Sequence, residues 1–211
     1  MLRRSLSRTD GGSPFVCDPK LSPTEAPAFW QPELVPDAVI IVAAPPGFTH
    51  AGTLDLAELG AVIASRRGED GCHAIIADPA GDHRLWLMDA APGTRLGILI
   101  PLDDDFRFRL EGIERFHRLL MGDPTGPRPR RLDLTVRQRR RLALMLRAVL
   151  GRRAGASYRE IGAVLFDPKI AHMPARDWKL SAEHSHLFRL VKDAWSFIDG
   201  GYRRLLRGDW P

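Results

Sequence analysis

The most informative stretch of this 211-residue sequence is residues 135–166, which read TVRQRRRLALMLRAVLGRRAGASYREIGAVLF. Its first half predicts a helix over residues 135–150, because apolar side chains recur at the i, i+3, i+4, i+7 spacing of one helix face. The predicted buried stripe consists of Leu142, Met145, Leu146 and Val149. The opposite face carries Arg137, Arg140 and Arg147, with Arg141 at its flank. One face of this helix is therefore expected to be core and the other cationic.

A second, shorter helix is predicted over residues 158–166. Ser157 and Glu160 have the spacing of a capping box, in which each side chain accepts a hydrogen bond from the other residue's backbone amide. Gly151 is expected to end the first helix as its C-terminal cap. The apolar face of the second helix is predicted to be Tyr158, Ile161, Val164 and Leu165. Two helices joined by a short Gly- and Arg-rich connection are the first half of a helix-turn-helix.

A third helix is predicted to follow Ser181, whose side chain suits an N-cap. Its core stripe is predicted to be Leu187, Leu190, Val191, Ala194 and Ile198. The connection over residues 167–179 is longer than the usual three or four residues, which indicates a helix-turn-helix variant with an inserted loop. Gly200 and Gly201 are expected to break the third helix before a short basic tail over residues 202–207.

These three helices suggest which side chains would contact DNA. The N-terminal residues of a recognition helix usually reach base edges, while neighbouring helices hold phosphates. The candidate base-reading residues are Lys179, Ser181, His184, Ser185 and Arg189, and Lys192 lies off the same core stripe. The candidate phosphate-binding residues are Arg137, Arg140, Arg141, Arg147, Arg152, Arg153 and Arg159.

The front of the chain predicts a different kind of structure. Short apolar runs over residues 38–43, 74–77, 84–88 and 95–100 predict about four short, mostly antiparallel strands. Residues 78–82 read DPAGD, a strong hairpin turn between the second and third of these runs. The fold class is therefore expected to be α+β, with a small sheet unit followed by an all-α helix-turn-helix-like unit.

Three further segments frame this sheet. Residues 54–63 are expected to form a short helix. A longer helix is predicted to run to Met121 behind Asp103, Asp104 and Asp105, which are expected to cap its positive end. Residues 1–36 are rich in proline and look extended, with Phe29 and Trp30 as an apolar anchor expected to dock on the following domain.

The charge is divided along the chain. Residues 1–123 hold 12 Lys+Arg against 18 Asp+Glu, whereas residues 124–211 hold 19 against 8. Segregated positive charge attracts polyanions, and 16 of the 19 basic residues are arginines, which fork onto phosphates and guanine edges. The breaker-rich residues 122–131 mark the expected boundary. The predicted domains are an extended segment 1–36, an acidic α+β domain 37–123 and a basic helical domain 132–211.

Several function classes find no support in the sequence. No apolar run approaches the roughly 20 residues of a membrane helix, and the basic N-terminus lacks the apolar stretch of a secretory signal. Cys17 and Cys72 form no CxxC pair, so a cytoplasmic location with reduced thiols is expected. His184 and His186 stand two positions apart and do not face each other on a helix. We expect no metal, no cofactor and no catalytic set, and hence no enzyme.

Seven blocks of residues 29–207 are similar to one known family. They are Phe29-Trp30 with Pro32-Glu33, LIPLD at 99–103, LTVRQR at 134–139, AGASYREI at 154–161, DWK at 177–179, RLVKD at 189–193 and GGYRRLL at 200–206. On these blocks the chain resembles the proteobacterial family catalogued as domain of unknown function 2285. The resemblance implies a helix-turn-helix variant found in regulators of integrative and conjugative element excision and transfer. That family includes activators of the FseA type and antiactivators of the QseM type, and the Trp-Glu-Phe-Leu-Arg-Arg pattern of the activators is absent here.

Two functions remain open at this point. The first is a DNA-binding transcription regulator of mobile or conjugative element genes, which the basic segment favours. The alternative is a protein-binding antiactivator that sequesters a related transcription activator, which the missing activator pattern favours. Duplex DNA is the expected partner, and a related activator, RNA polymerase or a second copy of the chain are further candidates. No membrane partner is expected.

Overall fold

The computed structural model describes residues 27–88 and 91–210, together with residues 21 and 25. The chain divides into two compact units, Met1–Leu132 and Asp133–Pro211. Unit 1 contains a five-stranded sheet and a long helix, and the described part of unit 2 is built from helices and turns. The predicted α+β class, with a small mostly antiparallel sheet unit before a helical unit, is confirmed.

The sheet of unit 1 has the strand order β2-β3-β4-β1-β5. Its strands are β1 (Val39–Ala43), β2 (Val62–Gly68), β3 (Gly71–Ile76), β4 (His83–Leu87) and β5 (Leu96–Leu99). Strands β1 and β4 pair in parallel, and the other three pairs are antiparallel. The predicted hairpin is confirmed, because β3 and β4 pair with Ile76 opposite His83 around the Asp78 turn.

One strand replaces part of a predicted helix. The helix expected over residues 54–63 is limited to a short 3-10 turn, Leu56–Leu59, and the chain then enters β2. Strand β2 lies at the edge of the sheet and pairs antiparallel with β3. The prediction was wrong because tertiary pairing decides the conformation of a mostly exposed strand whose local pattern is ambiguous.

The helix of unit 1, α1, spans Phe106–Met121 and packs on one face of the sheet. Its Phe116 joins a core whose strand residues are Val39, Ile41, Ala74, Ile76 and Leu85. On the N-terminal segment, the Phe29 ring lies 6.3 Å from the His73 ring, which in turn stacks on Trp86 at 5.6 Å. The expected docking of this aromatic anchor on the sheet domain is therefore confirmed for Phe29.

The three aspartates before α1 do not all act as caps. Asp105 is the N-cap residue, but its side chain makes no cap hydrogen bond. Asp103 accepts from the Asp105 amide at 3.1 Å and also binds the guanidinium of Arg109, with an Nη2–Oδ2 distance of 2.6 Å. The hydrogen bond from Arg109 holds the pKa of Asp103 below its usual value. Arg109 is buried, and its charge is paired by the Asp103 carboxylate. This ion pair fixes the orientation of the Asp103 side chain.

The last segment of unit 1, residues 123–132, lies against the rest of that unit. Thr125 is buried and its side chain hydrogen-bonds to Asp78. The amide of Arg128 donates to the carbonyl of Ala80 at 3.1 Å. The guanidinium of Arg131 lies 3.6 Å from the ring centroid of Phe108. Residues 123–132 are thus fixed by the β3–β4 turn and α1, and the division between the units follows them.

A buried polar cluster sits under the β3–β4 turn. The Asp78 carboxylate lies 2.8 Å from Nε2 of His83 and 3.7 Å from the guanidinium of Arg115. Arg115 also donates to the carbonyl of Gly81 at 2.7 Å. Burial raises the pKa of Asp78, but hydrogen bonds from Thr125, the Ala80 amide and His83 outweigh it and leave the pKa lowered.

Acid is expected to destabilise unit 1 through this cluster. A carboxyl group whose pKa is lowered by folding contributes stability above its unfolded pKa of about 3.9 and loses it as the pH falls through the folded pKa. Urea unfolding between pH 6 and pH 3 should therefore show a falling midpoint. The matched variant Asp78→Asn should show a smaller fall over the same range. Equal pH dependence in both proteins would mean that Asp78 does not carry the effect.

The helices of unit 2 form around two joined apolar clusters. They are α2 (Val136–Arg153), α3 (Tyr158–Leu165), α4 (Ala175–Leu180), α5 (Ala182–Ser196) and α6 (Tyr202–Leu206), with a 3-10 turn over Pro168–His172. Helices α2, α3 and α5 pack on one another. The connection predicted as an inserted loop is instead the 3-10 turn and α4, which place Ile170 and Trp178 in the core with Leu187.

Some predicted details of these helices are wrong. Gly151 does not cap α2, which continues through Arg153, while Gly155 has the positive φ of +87° that favours glycine. A Cβ on Gly151 would lie 2.9 Å from the Ile161 side chain, so this glycine permits the close approach of α3. Three residues predicted to be in the core are exposed, namely Leu146, Val164 and Ile198. The buried face of α2 instead includes Ala148, which lies on the other side of Met145 from Leu146.

The capping box at the start of α3 is confirmed. The Ser157 amide donates to Oε2 of Glu160 at 2.7 Å, and the Glu160 amide donates to the Ser157 hydroxyl at 3.3 Å. The hydrogen bonds from Ser157 lower the pKa of Glu160. An equivalent box of Thr135 and Gln138 starts α2.

Removing the Ser157 hydroxyl should weaken unit 2. Ser157→Ala leaves an amide of the first turn of α3 without its acceptor, and we expect a loss of about 0.5–2 kcal/mol. Chemical denaturation, monitored by circular dichroism, measures this loss of stability. Ser157→Asp keeps an acceptor and should stay close to the parent protein. A Ser157→Ala protein as stable as the parent would show that the cap contributes nothing.

Candidate nucleic-acid interface

The outward face of α5 is polar and cationic. Its core-facing residues are Leu187, Leu190, Val191 and Ala194. At about 100° per residue, the residues opposite this core lie within an arc of about 60°. They are Ser185, Arg189, Lys192 and Ser196, and all four are exposed. We call these four residues the α5 outer face.

Two exposed aromatic residues lie beside the α5 outer face. Phe188 is 54% exposed and Trp195 is 43% exposed. The Phe188 ring lies 6.1 Å from the ring of Tyr158 at the start of α3. Sequence reasoning missed this pair, although both positions fall between the core stripe and the polar face on a helical wheel. A large exposed aromatic next to arginine and lysine is a typical nucleic-acid contact surface.

The structure separates the five predicted base-reading residues. Ser185 and Arg189 lie together on the α5 outer face. The Ser181 hydroxyl accepts from the His184 amide at 3.0 Å, so Ser181 is the N-cap of α5, as predicted. The His184 ring is half-buried, 5.1 Å from the ring of Trp178. Lys179 is exposed but belongs to α4, a separate helix.

The predicted phosphate-binding residues lie mainly on exposed parts of α2. Arg140 and Arg147 are exposed and lie about 20° apart on the helical wheel, opposite the buried Met145. Arg137 and Arg153 are exposed near the two ends of the helix. The start of α3 carries Arg159, which is partly buried.

Two of these arginines also hold the fold together. A guanidinium nitrogen of Arg141 lies 2.5 Å from Oδ2 of Asp193, which ties α2 to α5. Arg152 donates to the carbonyl of Ala156 at 2.6 Å, and its guanidinium lies 4.8 Å from the ring centroid of Tyr158. These contacts fix Arg141 beside α5 and Arg152 at the start of α3.

The arginines form two groups at the ends of α2. The first group, at the N-terminal end, is Arg137, Arg140 and Arg141, and the second, around the α2–α3 turn, is Arg152, Arg153 and Arg159. A rise of about 1.5 Å per residue separates Arg137 from Arg152 by about 23 Å along the axis of α2. Residues 133–211 carry 16 Lys+Arg against 8 Asp+Glu. This excess gives the surface of unit 2 an electrostatic attraction for polyanions.

The described part of the chain shows neither a metal-binding cluster nor a membrane-spanning helix. Across residues 27–88 and 91–210, no three His, Cys, Asp or Glu side chains are grouped so as to hold a metal ion. None of the described helices is long and apolar enough to cross a membrane.

Comparison with known families gives two matches along the chain. Residues 37–98 match a domain of unknown function, DUF7012. Residues 99–207 match the RovC DNA-binding domain family, described as T6SS, transcription factor, DNA binding domain. A search of curated proteins found no match. The second match covers α1 and every helix of unit 2, which is more than half of the 211 residues. The chain therefore belongs to this family of transcription-factor DNA-binding domains.

Proposed function

We propose that this chain is a transcription regulator that binds duplex DNA with the α5 outer face in the major groove. The observation that carries the proposal is the exposed row of Ser185, Arg189 and Lys192 opposite the buried stripe of α5. A helix presented in this way by two packed neighbours is the arrangement of helix-turn-helix proteins. The membership of the family adds its support.

Each basic group has a distinct role in this proposal. The Arg189 guanidinium offers two parallel donors to O6 and N7 of guanine, while Ser185 and Lys192 hydrogen-bond to neighbouring base edges. Phe188 offers apolar contact to a thymine methyl group. The two arginine groups at the ends of α2, together with the exposed Arg147 between them, hold phosphates and set the position of α5 along the duplex. The chain acts by binding alone, without catalysis or a cofactor.

The genes that it regulates are proposed from the sequence resemblance. The blocks shared with regulators of integrative and conjugative elements suggest targets on a mobile element. The family description, which mentions T6SS, suggests secretion genes as the other class of target. Binding assays with promoters of each class distinguish the two.

A second candidate function is that of an antiactivator that sequesters a related activator. The outer face of α2 favours it, because Val136, Leu146 and Leu150 are all more than half exposed. At about 100° per residue these three residues share one side of the helix with Ala143. Exposed apolar side chains in a row are typical of protein contacts.

A gel-shift assay on the full chain tests the proposed function. The probe is duplex DNA from the region upstream of the chain's own gene, and the control is a shuffled duplex of equal length and composition. We expect a shifted complex that the shuffled duplex competes for poorly. If no duplex is shifted and a pull-down captures a related activator, the DNA-binding regulator is rejected and the antiactivator function is supported.

A further inference from the structure

Two adjoining cavities lie between α2, α5 and the segment after α6. The first has a volume of about 600 Å³ and is lined by side chains that include Arg137, Arg140 and His186. The second has a volume of about 590 Å³ and is lined by Asp193, Arg204 and neighbouring residues. Arg141 and Trp210 line both cavities. We call the joined space the Trp210 cleft.

The first cavity of the Trp210 cleft is cationic. Three arginines and one histidine line it, and no aspartate or glutamate is among its lining residues. The carboxylates of the cleft are confined to the second cavity, where Asp193 already neutralises Arg141. An anion is therefore expected to enter on the side of Arg137 and Arg140.

Two of the three arginines of the first cavity have unused side-chain donors. Among the described residues, the side chains of Arg137 and Arg140 make no hydrogen bond or ion pair. The other polar residues at this end of α2, Thr135 and Gln138, hydrogen-bond to each other in the capping box. Arginines that line one concave space suit phosphate, whose oxygens accept two parallel hydrogen bonds from one guanidinium.

An aromatic wall completes the cleft. The indole of Trp210 lines both cavities, and the ring of Phe197 lies 6.0 Å from it. Nucleobases stack on such aromatic faces. A volume of about 600 Å³ lies within the range of about 300–1,000 Å³ that is typical of small-molecule sites. The cleft thus joins a phosphate-binding end to a stacking surface.

We propose that the Trp210 cleft binds a nucleotide, with its phosphate on Arg137 and Arg140 and its base against Trp210. Two sources supply this chemistry, a free nucleoside phosphate or a nucleotide at the end of a DNA strand. The inference extends the proposed function, because Arg137 and Arg140 are also among the arginines that hold DNA phosphates in that proposal. A free nucleotide in the cleft would compete with duplex DNA for these two side chains, and the cleft would then regulate DNA binding.

Isothermal titration calorimetry on the full chain tests the nucleotide site, with ATP and pyrophosphate as probes. We expect saturable binding of ATP. Trp210→Ala should lower the affinity for ATP about tenfold and leave the affinity for pyrophosphate unchanged, because only the stacking partner is lost. Arg140→Ala should lower the affinity for both probes. The control Phe48→Ala removes an exposed aromatic residue of unit 1, outside the cleft, and should change neither affinity.

A second titration distinguishes the two sources of the nucleotide. If the ligand is free, increasing ATP should progressively raise the apparent Kd for a blunt duplex over the concentration range in which ATP fills the cleft. If the ligand is a strand end, ATP should bind weakly, and Trp210→Ala should lower the affinity for a duplex with a single-stranded overhang but not for a blunt one. Absence of both effects would overturn the inference. If the protein binds ATP but no duplex, the nucleotide site in the cleft is retained and the proposed function in DNA binding is rejected.

Discussion

Trp178→Ala is expected to destabilise unit 2 by about 3–5 kcal/mol, the usual cost of truncating a buried tryptophan. Trp178 is only 5% exposed and packs in the cluster that contains Ile170 and Leu187. A Cβ built on Gly162 would lie 2.7 Å from its ring, which shows how closely α3 approaches it. The cavity left by the substitution would remove the main anchor of α4.

Urea unfolding of the full chain, followed by circular dichroism at the helical signal, measures this loss. Trp195→Ala is the matched control, because Trp195 is an exposed tryptophan on α5 and its removal should change the stability by less than about 1 kcal/mol. Equal unfolding midpoints for Trp178→Ala and the parent protein would contradict the packing of α4 against the helical core.

Arg189→Ala is expected to reduce the preference for the cognate DNA site by about 5–150-fold. A bidentate contact between arginine and guanine contributes about 1–3 kcal/mol of discrimination against the wrong base. Arg189 lies in the middle of the α5 outer face, so its loss should affect specific binding far more than binding to a shuffled duplex. Fluorescence anisotropy with cognate and shuffled duplexes measures the ratio.

Two further variants serve as a control and as a test of a second predicted base-reading residue. Arg107→Ala removes an exposed arginine of α1 and should leave the ratio unchanged. Lys179→Ala tests whether α4 also contributes to base recognition, as the sequence predicts. A preference for the cognate site that survives Arg189→Ala would show that α5 is not the reading helix.

The features that could be predicted from the sequence are local ones. The capping box of Ser157 and Glu160 and the N-cap of Ser181 depend on residues three positions apart, and both are present. The core stripe of α5 follows from helical spacing, and four of its five predicted members are buried. The hairpin turn at Asp78 follows from its turn residues and is confirmed.

The features that could not be predicted depend on distant partners. Strand β2 exists because β3 pairs with it, and its own mostly exposed residues show no clear strand period. Helix α4 has six residues, which is too short for helical periodicity to be recognised. Gly151 resembles a helix end in the sequence, whereas its role is set by Ile161 of the next helix.

The candidate site shows the same limit. Helical spacing placed Arg140 and Arg147 on the exposed face of α2, where the structure has them. The ion pair between Arg141 and Asp193 joins residues 52 positions apart, and no local pattern indicates it. Phe188 and Trp195 lie outside the core stripe of α5, so helical spacing does not indicate a role for them.

The dependence of duplex affinity on salt measures whether unit 2 binds DNA through the arginines of α2 and of the α2–α3 turn. If about six phosphates are contacted, the affinity of the parent protein should fall about 10³-fold between 50 and 200 mM salt. Each phosphate contact contributes about 0.9 to the slope of log K against log salt, so Arg140→Ala combined with Arg147→Ala should reduce the slope by about 2. The double variant should also lower the affinity for cognate and shuffled duplexes by the same factor. A parent protein whose affinity is independent of salt, or a double variant with the parent slope, would contradict the account.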